Sequence, residues 1–110
     1  MLYIKSNNTI RLTRGDTAAL TVSIVDDVNK QQYEMKITDV LKLSVKKDTH
    51  EADYCFQKVS TGKPNITIQP EDTKELDFGK YIYDVQLENS EGAVSTIIEP
   101  STFEVLPEVT

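Results

Sequence analysis

Arg14-Gly15-Asp16 is a triplet of the 110-residue chain with a chemical reading, because it matches an integrin-binding tripeptide. The same residues, with Thr17, also read as a turn. Glycine permits positive φ, and Asp or Thr side chains can bond nearby backbone groups. We adopt the turn. Acidic side chains gather at Asp26-Asp27 and at Asp48, Glu51 and Asp53. Calcium takes about six to eight oxygens from a defined loop spacing. Neither cluster has EF-hand spacing, so both read as a solvated rim. Loops at a sandwich end can still pool ligands, which keeps calcium as an alternative. Cys55 is the only cysteine and His50 the only histidine. A thiol nucleophile needs a base beside it, and a separation of five along the chain does not place one there. Cys55 reads as a small apolar filler.

Asn7-Asn8-Thr9 and Asn65-Ile66-Thr67 fit the N-glycosylation triplet. Without a signal peptide both are coincidence. No phosphate-cradling glycine loop, zinc spacing or serine elbow occurs, and paired carboxylates for acid/base work would need a cleft. The chain therefore reads as non-enzymatic, with no catalytic, cofactor or metal residue to assign. Sugar platforms use exposed aromatic rings. Tryptophan is absent, which leaves Tyr33 and Tyr54 as the surface candidates. A ligand-binding sandwich, for carbohydrate or calcium at the loops around Asp26, Tyr33 and Asp48, is the alternative function.

These residues must be held by something, and size and charge bound what. The length fits one domain over residues 1–110 with a single core. Lys and Arg number 12 against 18 Asp and Glu, a formal net charge of -6. Such a chain repels phosphate backbones, and Lys46-Lys47, its densest basic point, is followed at once by acids. No nucleic-acid partner is expected. No apolar run approaches the roughly 20 residues that span a bilayer, so no membrane is expected either. One cysteine allows no internal disulfide, which fits synthesis in a reducing compartment.

Alternation supplies the elements. Residues 79–88 alternate strictly: Tyr81, Tyr83, Val85 and Leu87 share one face, and Lys80, Ile82, Asp84, Gln86 and Glu88 the other. That is a half-buried strand, and we place it centrally. Residues 9–13 give the first strand. Residues 18–26 give the second, with Ala18, Leu20, Val22 and Ile24 inward. Residues 33–37 alternate briefly, and Leu41, Leu43 and Val45 mark a clear strand. Residues 54–59, holding Tyr54 and Phe56, read as an edge strand. Ile66-Thr67-Ile68 is short and ends at Pro70. Asp72 and Glu75 stand at capping-box spacing for one helical turn. After a hairpin at residues 89–92, Val94, Thr96 and Ile98 form the inward set of a strand that Pro100 interrupts. Phe103 and Val105 resume it.

Seven or eight short strands with frequent turns predict an all-β, disulfide-free, immunoglobulin-like antiparallel β-sandwich. A closed barrel is the competing fold. Asp77-x-Gly79-x-Tyr81-x-Tyr83 resembles the Asp-x-Ala/Gly-x-Tyr-x-Cys pattern of immunoglobulin domains, in which the tyrosine bonds back to the upstream loop. Asp77, Gly79 and Tyr81 are thus the candidate structural corner, Tyr83 stands where a cysteine would be, and Leu43 takes the place of the usual core tryptophan.

The order of motifs resembles a family of small immunoglobulin-like domains of phages and prophages of low-GC Gram-positive bacteria. The matching residues are Arg14-Gly15-Asp16-Thr17 before Leu20-Thr21-Val22-Ser23-Ile24, the run from Asp39 to Lys47, Ile66-Thr67-Ile68, and Pro70-Glu71-Asp72-Thr73. Gly79 to Leu87, Gly92, Thr96-Ile97-Ile98 and Phe103-Glu104-Val105 complete them. The chain is similar to the N-terminal domain of phage upper baseplate proteins, a virion-side attachment module. The sequence stops at Thr110 without a coiled-coil or receptor-binding continuation, and the family pattern implies no catalytic residue. The resemblance implies a tail or baseplate-type structural protein, made in the bacterial cytoplasm without a signal peptide and virion-associated. Its partners would be other phage structural proteins or itself. Sandwich edges can add a neighbour's strand, which makes Tyr54 and Phe56 of the edge stretch candidate interface residues; Val25 and Ile82, apolar on nominally outward faces, are the other two.

Overall fold

Strict alternation along residues 79–88 becomes β7 (Gly79–Glu88), an interior strand of a six-stranded sheet. The computed structural model describes residues 2–4, 8–25 and 30–108, with residues 2–4 as strand backbone only. The other strands are β1 (Leu2–Ile4), β2 (Ile10–Thr13), β3 (Ala18–Thr21), β4 (Val40–Lys46), β5 (Phe56–Thr61), β6 (Asn65–Ile68) and β8 (Val94–Leu106). A four-residue helix, α1 (Pro70–Thr73), lies between β6 and β7. The large sheet runs β1-β2-β8-β7-β4-β5, and β3 pairs with β6 in a second sheet. Two sheets with a shared core make an all-β, immunoglobulin-like sandwich, and Cys55 is free.

The core forms because the inward rows of both sheets are apolar. Leu41, Leu43 and Val45 of β4 stand opposite Leu87, Val85 and Tyr83 of β7, and Tyr81 stands opposite Phe103 of β8. Ile10 and Leu12 extend this surface from β2, while Ala18, Leu20, Ile66 and Ile68 close it from the second sheet. Phe103 is fully buried at the centre, with Tyr83 and Phe56 edge-on to it at 6.3 and 5.8 Å between ring centroids. Edge-to-face packing sets the positive rim of one ring against the negative face of another.

One pair departs from antiparallel order. β2 and β8 run parallel, with Ile10 opposite Phe103 and Leu12 opposite Val105. β2 hands the chain to the second sheet at the end where β8 finishes, so the two must point the same way. The Arg-Gly-Asp turn makes that crossing. Gly15 adopts φ +83°, and its N–H donates to the buried Thr73 Oγ1 at 2.9 Å. Arg14 donates to Glu108 at 3.0 and 3.1 Å and to the Leu76 carbonyl at 3.3 Å, and its guanidinium lies 4.2 Å over the Phe78 ring. The triplet is a tie between the ends of the chain and the α1–β7 connection.

Several local expectations change. β1 precedes the strand expected first; three residues are too few to show alternation. Residues 22–25 leave the ladder after β3, yet Val22 and Ile24 stay buried. Tyr33 and Met35 pack against the core without forming a strand. The edge strand starts at Phe56, not Tyr54. The helical turn is capped one residue before Pro70, where the Gln69 N–H donates to Asp72 Oδ2 at 2.7 Å, so Asp72 pairs with Gln69 and not with Glu75. In β8, Val94 and Thr96 are exposed while Ile97 and Ile98 are both half-buried. The cause is a pair of bulges. Tyr83 pairs with Ser101, Val85 with Ile98 and Gln86 with Thr96, so β8 twice spends one residue more than β7. Each extra residue reverses the phase of the side chains beyond it.

The corner is held by one bond: the Tyr81 hydroxyl donates to the Asp77 carbonyl at 2.9 Å. Gly79, between them, adopts φ +135°, which side-chain-bearing residues rarely reach. Tyr81→Phe removes this bond while keeping the buried ring. It should lower unfolding free energy by about 1–2 kcal/mol in urea titrations. A loss below about 0.5 kcal/mol, the range of ordinary surface substitutions, would mean that the hydroxyl does not hold the corner.

Candidate functional site

The outer face of the large sheet is hollowed where β5, β4, β7 and β8 lie side by side, in a groove of about 380 Å³. Alternation puts the polar half of each strand there. Lys42, Ser44 and Lys46 of β4 stand opposite Gln86, Asp84 and Ile82 of β7, and Gln57 of β5 stands opposite Ser44. The bulged part of β8 brings Pro100 to one wall, and Asp48, Thr49 and Tyr54 close the other from the loop after β4. Bulges bend a sheet and sharpen its twist, which accounts for a concave face here.

Most polar groups in the groove already have partners. Ser44 Oγ accepts from Gln57 Nε2 at 2.8 Å. Lys42 Nζ lies 3.3 Å from Glu88. Lys46 Nζ sits 5.0 Å from the Tyr54 ring centroid, which orients an aromatic side chain that is 52% exposed. Asp84 differs. Its carboxylate is half-buried and forms no hydrogen bond or ion pair among the described residues. Burial pushes its carboxyl above the usual range, with Lys46 pulling the other way.

A second hollow, about 560 Å³, lies between Ser23, Val25 and Tyr33 on one side and Leu87, Asn89 and Ile97 on the other. Beside it stands a buried clasp. Asp39 Oδ2 accepts from the Tyr33 hydroxyl at 2.5 Å and from the Lys36 N–H at 2.9 Å, and the Asp39 carbonyl accepts from Gly62 N–H at 2.8 Å. The Tyr33 bond, then the Lys36 N–H, hold the Asp39 carboxyl below its ordinary range. The same bond, then burial, raise the Tyr33 phenol. Tyr81 and Tyr83 are raised chiefly by burial, Tyr83 to about 12.

The four sequence-derived interface residues do not form one surface. Tyr54 and Ile82 meet in the groove. Val25 lies at the second hollow, exposed, in a single bridge with Gln32. Phe56 stands apart from both: it is half-buried and its ring packs against Phe103, because β5 places residue 56 on the inward side of the edge strand. β5 is also a poor template for strand addition. Lys58, on the same side as Phe56, pairs with Asp72 of α1 at 3.0 Å, and an inward charge on an edge strand disfavours pairing with a newcomer.

Of the loop candidates, the described ones, Tyr33 and Asp48, do not converge. Tyr33 is committed to Asp39, Asp48 belongs to the groove, and Asp26 and Asp27 lie outside the described residues, as does Asn7. Asp48 accepts from the His50 N–H at 2.8 Å, an Asx turn. Among the described residues no group of three His, Cys, Asp or Glu side chains could hold a metal ion. Burial raises the Cys55 thiol, away from the nucleophilic thiolate. Sequence reasoning missed Asp84 and Gln57; an outward carboxylate on an alternating strand is ordinary until the face around it is known to be concave.

No protein-family model matches the chain, and no curated protein matches it in sequence. Among solved structures it is similar to CopC from Methylosinus trichosporium OB3b, at 15% identity and a TM-score of 0.41. The match covers 64% of this chain and 65% of CopC, so the chain spans about two-thirds of that protein's length. Overlap at this level carries no functional argument, and the fold stands on its own sheets and registers.

The clasp predicts a pH response. An Asp39 carboxyl held below its ordinary 3.8 stabilises the fold above that value, and the contribution is lost as pH falls through the depressed value. A Tyr33 phenol held above 10.0 stabilises below that value, and the contribution is lost as pH rises through the elevated one. Tyr33→Phe should cost about 1–2 kcal/mol at neutral pH and flatten the decline of the urea midpoint between neutral and acid. An acid decline as steep as that of the unaltered chain would rule out the clasp as its source.

Proposed function

We propose that this chain is a non-enzymatic assembly module of a phage or prophage particle, of tail or baseplate type, working by contact with a second copy or another virion protein. The observation that supports this is an apolar end. Ile37 is 86% exposed just before β4 begins, Val94 is exposed where β8 begins, and Val25 is exposed beside Asn89 and Ala93. Val40, Glu88 and Val94 stand in register across β4, β7 and β8, which puts these residues at the same end of the sandwich. Single exposed apolar residues are ordinary on a surface, but several at one end suit a partner that buries them. The order of motifs given above supplies the phage setting, and the blunted β5 edge directs contact to the end and away from strand addition.

The test is mass spectrometry of particles purified on a density gradient after induction of the source cell's prophages. The chain should co-purify at a fixed ratio to the capsid protein. Ile37→Glu combined with Val94→Glu should fold with an unchanged thermal midpoint and vanish from the particles. Complete particles lacking the chain, or incorporation of the double variant at the unaltered ratio, would overturn the proposal.

A further inference from the structure

We infer that the groove on the outer face of the large sheet binds an uncharged oligosaccharide, with Tyr54 as the stacking ring and Asp84 as the central hydroxyl acceptor. Asp84 sets the polar requirement of the groove. A carboxylate sunk partway into a sheet face loses hydration, and here no described side chain or backbone N–H replaces it. Sugar hydroxyls are donors of the kind it lacks, and a carboxylate can accept from two at once. Beside it lie Ser44 and Gln57, bonded to each other with valences to spare, and Gln86 from the adjoining pair. These groups donate and accept, as a ligand whose free hydroxyls do both requires.

Tyr54 supplies the apolar half. A sugar ring is polar at its edge and apolar on its C–H face, and a fixed aromatic ring can cover that face. Lys46 holds the Tyr54 ring in place, so less side-chain freedom is lost on binding. Charge selects against anions. Lys42 is neutralised by Glu88 and Lys46 is engaged with Tyr54, which leaves the acids Asp48 and Asp84 in excess over the one remaining lysine. An anion would face both acids on a chain of net charge -6. Among the described residues no acidic group is dense enough for a metal ion. The concavity, which two β8 bulges impose opposite Asp84 and Gln86, suits an elongated chain lying across the strands.

This site is separate from the apolar end, so its test is independent of particle assembly. The full chain, labelled with nitrogen-15, is titrated with cellotetraose, maltotetraose and N-acetylchitotetraose while amide shifts are followed. At least one should give saturable shifts confined to β4, β7 and residues 47–54, with millimolar affinity. Tyr54→Ala and Asp84→Ala should each weaken it roughly tenfold or more. Tyr54 lies in a surface loop, so that variant keeps the fold if Asp84→Ala does not. Val25→Ser, at the other hollow, should leave binding unchanged. Three unresponsive oligosaccharides, shifts centred on the second hollow, or a folded Tyr54→Ala that binds as the unaltered chain does would each overturn the inference.

Discussion

A buried phenol is a constraint as much as a packing unit, and this sandwich depends on two of them. Tyr81 and Tyr83 sit side by side in the inward row of β7, and each ring carries a hydroxyl that cannot go unpaired in the core. Both hydroxyls reach out of it to backbone carbonyls, Tyr81 to Asp77 and Tyr83 to Asn8. The first ties β7 to the connection that leads into it. The second ties β7 to the residues just before β2, across the intervening β8. Tyr83 also packs edge-on to Phe103 and Tyr81 stands opposite it in register, so filling the core and fixing the chain's entry points are one act.

Sequence and structure agree where a strand is regular. The rows Leu41, Leu43, Val45 and Tyr81, Tyr83, Val85 were legible because a period of two needs no knowledge of neighbours. The corner was legible too, since Gly79 and Tyr81 have specific backbone reasons to be where they are. Legibility ended where one element answers to another. The two bulges in β8 depend on register against β7, and they overturn the expected inward set of Val94, Thr96 and Ile98. Phe56, a candidate contact residue on an edge strand, lies on the inward side of that strand, half-buried against Phe103, and alternation along one strand does not say which side faces in. The groove illustrates the same limit: its residues come from four strands and a loop, and only curvature makes them a site.

Charges divide the surface into parts with different duties. Lys58 and Asp72 blunt the β5 edge, and Arg14 with Glu108 and Phe78 fastens the turn between sheets. Arg11 and Glu104, 3.0 Å apart, reinforce the parallel pair. Half-exposed pairs of this kind contribute little individually, about 1 kcal/mol or less. Their effect is to specify which edges and ends stay open.

The parallel pairing also bears on how the chain comes to be folded. β2 lies near the start of the chain and its partner near the finish; Arg11 and Glu104 are separated by 93 positions. A ribosome releases the first long before it makes the second. The β4–β5 and β7–β8 hairpins can form from local chain as it emerges, but Ile10 and Leu12 must wait for Phe103 and Val105 to cover them. Until then their apolar row faces water or a chaperone. Closure of this pair waits until β8 has been made, and it carries the loop-closure entropy of segments 93 positions apart.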